Sequence, residues 1–355
     1  MTIQVSVQNQ YWKLKGTIGD SPATLEIICQ KIKVDNTQEN FYSASYYYDS
    51  EQTPKTLSDW DGKSTGAELT FQAYELISPT DGPEINDNIE SFSGNFNGKS
   101  YEGTWKKRGK ELPFSFVLQK NDPWHLTYLG DSKTYTSKYK TTANFDVDLW
   151  VPEDKVARQK INEFIFDKTA QADFKQSIQN TYESFVNSYN EILQENADDL
   201  KDSDPSSMYN FSSGINLNPI LNNERYLIYE VVYDDYEGGA HGVYASVFFT
   251  YQKDTQKQIK YQDIFKEDFD EQIAEIINTE VHEKHKIPKK VNLNAEGLDM
   301  FLVEKMPITD NIYPTGKGVV FHYNIYEVLP YAAGDYEIMV PYEKLKPYLK
   351  EDFKF

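Results

Sequence analysis

The chain has 355 residues, 15% of them aromatic, and carries 56 Asp and Glu against 36 Lys and Arg for a net charge of −20. That length exceeds one ordinary hydrophobic core, so two domains are expected. The negative field repels phosphate backbones, which argues against nucleic acid and favours a cationic partner, although acidic surfaces also serve solubility alone.

Cys29 is the only cysteine, so no internal disulfide forms; its apolar run Leu25–Cys29 marks it as a small buried hydrophobe. No apolar run approaches the roughly 18 residues a membrane-spanning helix needs. The first ten residues, MTIQVSVQNQ, lack a basic segment followed by an apolar one. Two settings stay open: a cytosolic chain, or one in which Met1 stands where an export signal has been removed.

Residues 1–120 read as strands and turns. Tyr11–Ile18, Ala23–Val34, Phe41–Tyr48, Ala67–Leu76, Ser91–Phe96, Lys99–Lys106 and Leu112–Gln119 alternate with turn residues, and Asn97-Gly98 signals a type I′ hairpin. Short strands at regular spacing without helical periodicity predict an all-β meander, barrel-like or strongly curved. Trp12, Trp60 and Trp105 are candidates for its interior, as core residues before ligand platforms.

Residues 121–132 carry Asn, Asp, Pro and Gly and read as a linker. A second, α+β domain is expected over 133–355, an antiparallel sheet with packed helices, able to fold alone. Strands are predicted at Lys133–Thr141 and Phe145–Val151. A long helical region follows from Pro152 to about Asn196, with a break near Ala170–Asp173; its apolar positions include Ile161, Ile165, Ile178, Phe185 and Leu193. Strands return at Met208–Leu217, Arg225–Tyr233 and Val243–Tyr251. Later elements are a helix at Asp268–His285, a short helix at Ala295–Val303, strands at Gly318–Tyr326 and Tyr336–Pro341, and a terminal helix at Tyr342–Lys350.

One turn stands apart: Tyr236-Glu237-Gly238-Gly239-Ala240-His241-Gly242, between two strands. Three glycines in seven residues are more than a hairpin needs; they allow positive φ and close backbone approach, and so can present His241 at a strand end. The plainer alternative is a turn whose histidine bonds a nearby carbonyl. Asp234, Asp235 and Glu237 crowd the same strand end, and paired carboxylates hydrolyse glycosides when held about 5–9 Å apart. His282-Glu283-Lys284-His285 is one residue short of the zinc-binding helix pattern. His241 and His322 form a second candidate pair, metal-binding, acid–base or structural. There is no nucleophile elbow, phosphate loop or dinucleotide fingerprint, and no cofactor or metal is expected.

Several stretches together resemble a known pair of domains. They are the glycine–histidine turn Glu237–Gly242, Tyr261-Gln262-Asp263-Ile264-Phe265 before a helix, and Tyr323-Asn324-Ile325-Tyr326-Glu327-Val328-Leu329-Pro330-Tyr331-Ala332-Ala333-Gly334 running on to Ile338-Met339-Val340-Pro341-Tyr342. This set resembles the C-terminal domain of RsiV-like proteins. Phe145–Ile165, with Ile161-Asn162 in a helix, resembles the companion domain that also precedes the catalytic domain of PdaC-type deacetylases. The resemblance spans about residues 133–350. The sigma-binding segment, the membrane span and the deacetylase domain of those proteins have no counterpart here. It implies an extracytoplasmic recognition module of the cell envelope or periplasm, lipid anchoring included, whose partner is a cationic protein such as lysozyme or a cell-wall glycan. The ligand-binding candidates are Tyr236, Glu237, Gly238, Gly239, His241, Tyr326 and Tyr331; the tyrosines are equally candidates for a tyrosine-rich core. The competing reading is an envelope glycan hydrolase or deacetylase that uses the acids and histidine near 234–241.

Overall fold

The computed structural model describes residues 9–34, 37–58, 67–73, 90–120, 122–198, 200, 207–298 and 300–355. Its contacts divide the chain into two compact units, one of Met1–His125, Ile220–Leu227 and Ile259–Phe355, the other of Leu126–Pro219 and Ile228–Gln258. Each is taken by itself.

The first unit opens with eight strands: β1 (Gln10–Ile18), β2 (Ser21–Val34), β3 (Thr37–Tyr48), β4 (Lys55–Ser58), β5 (Glu68–Ala73), β6 (Glu90–Phe96), β7 (Ser100–Lys107) and β8 (Lys110–Leu118). Each pairs antiparallel with the next, and β1 also pairs with β8, which closes the sheet into a barrel and removes its free edges. Period-two alternation sends one set of side chains inward: Leu14, Leu25, Ile27, Tyr46, Phe71, Phe92, Tyr101, Phe114 and Phe116 form its core. The predicted meander is therefore a barrel. Trp105 is buried in that core and Trp12 packs against it; Trp60 lies outside the described residues. Gly98 has positive φ and Asn97 does not, so Asn97-Gly98 is not the central pair of a type I′ turn, which needs positive φ at both positions. Strand β4 escapes sequence reading because four residues, KTLS, hold one apolar position.

The second unit is built on a sheet of order β14-β13-β12-β11-β10-β9. Its strands are β9 (Leu126–Thr136), β10 (Thr142–Pro152), β11 (Phe211–Asn222), β12 (Tyr226–Tyr236), β13 (Val243–Gln252) and β14 (Lys257–Ile259). Between β10 and β11 run α1 (Lys155–Phe166) and α2 (Phe174–Glu195). This helical crossover makes β10 and β11 parallel, the one departure from the expected antiparallel pattern among the pairings given. Asp154 and Asp173 cap the two helices, accepting from the backbone N–H of Ala157 at 2.8 Å and Gln176 at 3.0 Å. The expected break between them is present. Ile161 and Ile165 are buried at helical spacing, and Phe145 of β10 packs against Tyr182 and Phe185. Strand β9 begins six residues inside the stretch read as linker; as a sheet edge it tolerates the polar run Gly130-Asp131-Ser132.

The remainder of the first unit comprises α3 (Tyr261–Ile264), α4 (Asp270–Lys284), β15 (Ile312–Pro314), β16 (Gly318–Tyr323), β17 (Tyr336–Pro341) and α5 (Tyr342–Leu345). Strands β15, β16 and β17 form an antiparallel sheet, and Ile273, Ile277 and Val281 of α4 share a core with Phe321, Ile338 and Val340. Two expectations fail here. Among the described residues of 295–303 there are turns and bends but no helix, with Gly297 at φ 84°. The terminal helix stops at Leu345: Lys346 keeps helical φ and ψ, but Pro347 has no N–H with which to continue the hydrogen-bond ladder. Among the described residues, no helix is long and apolar enough to cross a membrane.

Candidate functional site

The glycine-rich turn joins β12 to β13 in the second unit. Gly238 and Gly239 have φ of 89° and 92°, the left-handed region that L side chains avoid. At Gly238 an added Cβ would also overlap the carbonyl oxygen of Met208, whereas at Gly239 it would meet open space. The Tyr236 hydroxyl donates to Gly239 O at 3.0 Å, and His241 is exposed with Nδ1 2.8 Å from Gly242 O. Glu237 is exposed beside them. Gly239→Ala is expected to destabilise by about 1–2 kcal/mol through its φ alone, Gly238→Ala by more, and His241→Asn by less than about 0.5 kcal/mol. Chemical denaturation of the three variants checks this order.

The acids of this strand end are differently placed. Asp235 is exposed, while Asp234 is half-buried and accepts from Asn216 Nδ2 at 3.3 Å. Burial, then the charges of Asp235, Asp146 and Asp148, push the Asp234 carboxyl above its ordinary range. Among the described residues no three or more His, Cys, Asp or Glu are arranged to hold a metal ion.

Tyr326 and Tyr331 lie in the first unit, on the loop from β16 to β17. Their rings pair at 5.8 Å between centroids and 34° between planes. Tyr326 is 54% exposed and itself adopts φ 67°. Gly334 ends the loop at φ 78° and ψ −162°, a region open essentially to glycine.

Beside this loop is a cleft of about 590 Å³. Tyr261 and Tyr323 form part of its wall, Ile308 adds an apolar face, and Asp270, Asp310 and Glu327 supply three exposed carboxylates; among the described residues no basic one lines it. Tyr261 OH donates to Asp270 Oδ1 at 2.7 Å, and Tyr323 OH to Pro307 O at 2.7 Å. Burial and the charges of Asp270 and Asp310 hold the Tyr261 hydroxyl well above its usual pKa, so it stays a donor. Glu327 Oε2 accepts the backbone N–H of Asn324 at 2.9 Å, which ties the cleft to the tyrosine loop. Tyr261 and Tyr323 each open a stretch singled out by the family resemblance. Asp270 and Asp310 were not foreseen, and Asp310 sits in an irregular segment with no local signal.

The histidine motif is spent on structure. His282 Nδ1 lies 3.2 Å from Ile287 O, and His285 Nε2 lies 2.9 Å from Tyr336 OH. Burial, with the neighbouring Lys284 charge, lowers the His285 pKa to about 4, so this ring is neutral at physiological pH. His322 is fully buried on β16, held by Glu337 and Asn324.

A closed eight-stranded barrel, a helix-packed sheet and an open acidic cleft define a β-rich protein with helices packed on its sheets. Residues 262–343 match the family model described as a protein of unknown function, DUF3298, and residues 133–244 match the model described as deacetylase PdaC. In structure the chain is similar to a member of the DUF3298 family from Bacteroides fragilis, with 22% identity over 65% of this chain and 96% of that one, at a TM-score of 0.55. It is also matched to a DUF3298 family protein from Pseudomonas aeruginosa, with 18% identity over 65% and 96% of the two chains and a TM-score of 0.44. No curated protein matches. The PdaC match falls on the companion domain that the sequence resembles, and the DUF3298 match falls within the stretch after it; likeness to the Bacteroides structure extends to the fold alone.

Proposed function

We propose that this protein is a non-catalytic recognition module of the cell envelope that binds a cationic protein. The observation that carries the reading is the cleft at Tyr261, Asp270, Asp310, Tyr323 and Glu327, with three carboxylates and, among the described residues, no lining base. Lysine or arginine side chains suit it: carboxylates attract the charge, and tyrosine hydroxyls and ring faces accept the rest. Exposed Tyr326, paired with Tyr331, supplies large, rigid contact area beside Glu327 at modest entropic cost. The net charge of −20 steers such a partner in. The PdaC and DUF3298 matches support an extracytoplasmic setting, and the resemblance to RsiV-like C-terminal domains is what suggests a lysozyme-like partner.

Calorimetric titration with a c-type lysozyme is the test. Binding is expected at low ionic strength and is expected to weaken as salt rises toward 0.15 M, where the screening length falls to about 8 Å. No heat and no complex at low salt, where attraction is strongest, removes lysozyme as the partner. The turn at Tyr236–His241 is proposed as a second contact surface, which Tyr236→Ala and His241→Ala probe in the same assay.

A further inference from the structure

The loop carrying Tyr326 and Tyr331 starts at Asn324 and ends near Asp335, and both ends meet one imidazole. His322 Nε2 lies 3.3 Å from Asn324 Oδ1 and 3.7 Å from Asp335 Oδ2. The other ring nitrogen, Nδ1, lies 3.2 Å from Glu337 Oε1 on β17. The ring is fully buried. Both ring nitrogens therefore face oxygen acceptors, Glu337 on one side and Asn324 and Asp335 on the other. A neutral imidazole has one N–H and can serve only one side; the imidazolium has two and serves both.

We infer that His322 is a pH-operated clasp, which in its protonated form closes the neck of the 324–335 loop and so presents Tyr326, Glu327 and Tyr331 for binding. The inference rests on the proposed recognition role of that loop. When the proton leaves, one side of the ring faces an acceptor lone pair to lone pair. Asn324 can answer by turning its amide, but Asp335 cannot, and the attraction that draws the loop's end to its beginning is lost.

The surrounding charges agree with this assignment. Glu337 is also held by Tyr313 of β15, whose hydroxyl donates to Oε2 at 3.2 Å. Lys284 of α4 donates to the Glu337 backbone carbonyl at 3.2 Å and brings a positive charge to the cluster. Asn324 is fixed by Glu327, whose carboxylate accepts its N–H. Burial by itself would lower the His322 pKa. The hydrogen bond and charge of Glu337, then the charge of Asp335 and the bond to Asn324, outweigh burial and raise it above 6.5. A raised folded-state value means that the stabilisation is complete below the unfolded pKa and is lost as pH rises through the folded one. The clasp is thus closed in acid and opens as pH rises through the raised His322 pKa.

The full chain, labelled with ¹⁵N, permits a direct test. The His322 imidazole is followed by NMR between about pH 5 and 9, together with exchange protection of the amides of residues 325–334, corrected for intrinsic exchange. Protection is expected to fall with the His322 midpoint, by about tenfold for each unit that the pKa stands above its ordinary value. Asp335→Asn is expected to lower that midpoint while leaving the fold intact, and His322→Gln to flatten the protection profile. A midpoint at or below 6.5, or the same profile in Asp335→Asn as in the native chain, overturns the clasp, and neither measurement needs His322→Gln to fold. An acetylated and amidated hexa-arginine peptide, which has no group titrating in this range, is then titrated at about pH 5.5 and 8.5. Tighter binding at the lower pH in the native chain alone supports the clasp; equal binding at both overturns its control of the site. If protection follows His322 but the peptide binds at neither pH, the recognition reading fails and the clasp stands.

Discussion

Replacing Glu90 by alanine is expected to destabilise the protein by about 3–5 kcal/mol, the range typical when one partner of a buried ion pair is removed. Glu90 is 1% exposed and sits at the start of β6, where the barrel interior ends. Its Oε1 accepts from the Tyr46 hydroxyl and from Trp105 Nε1 at 2.7 Å. Its Oε2 pairs with Lys55 at 3.0 Å and Lys107 at 3.1 Å. Removing the carboxylate strands two ammonium groups, an indole and a buried phenol at once. Burial by itself would raise the Glu90 pKa; Tyr46, Lys55 and Trp105 overcome it and bring the value below the ordinary one. The stability gained is therefore full above the unfolded-state carboxylate pKa and is lost as pH falls through the folded one. In urea titrations the gap between native chain and Glu90→Gln should be widest near neutrality and shrink below about pH 4.3. A Glu90→Ala chain within 1 kcal/mol of the native one would show that the cluster is dispensable.

Neutralising the cleft is expected to have the second large effect. Asp270→Asn, Asp310→Asn and Glu327→Gln together should weaken lysozyme binding by about 1–3 kcal/mol, roughly 5- to 150-fold, from three exposed pairs of up to about 1 kcal/mol each. The loss should be greatest at low salt, because the charges are at the surface. Tyr326→Ala should cost about 2 kcal/mol if the ring is a buried anchor in the complex, with little change in salt dependence. The two variants are thereby separable: one acts on the salt slope, the other on the intercept. Unchanged affinity in both would place the partner elsewhere on the molecule. Asp270 also accepts from Tyr261, so thermal unfolding of the triple variant is needed to show that the cleft survives.

Much of the secondary structure was legible because its signals are local. Alternation over six to fourteen residues with turn chemistry between marked the first-domain strands, and helical spacing from Val156 to Leu193 marked α1 and α2, including the break before the Asp173 cap. The misses have local causes too: β4 is too short to show a period, and Gly297 and Pro347 interrupt helices that the apolar spacing suggested. Of the proposed site, Tyr326 and Tyr331 were named from resemblance, and Gly238 and Gly239 from the demand for positive φ. The acids that give the cleft its character were not, since Asp270 reads as an ordinary first-turn residue of a helix and Asp310 as loop.

Composition, period and turn residues thus determined, without any coordinates, that the chain begins with an antiparallel β meander and continues as α+β. These properties are set within windows of a few residues, by backbone preference and the side on which each side chain falls. Tertiary structure alone decided the rest. Barrel closure depends on β1 meeting β8 about a hundred residues later. The Glu90 cluster gathers Tyr46, Lys55, Trp105 and Lys107 from three other strands. The cleft joins Tyr261, Asp310 and Glu327, and the first compact unit draws on three separate segments of chain. Bringing such distant residues together costs loop-closure entropy that rises only slowly with separation, so many long-range pairings are nearly equal in that cost. What selects among them is the summed burial and polar pairing of the whole fold, which no short stretch of sequence contains.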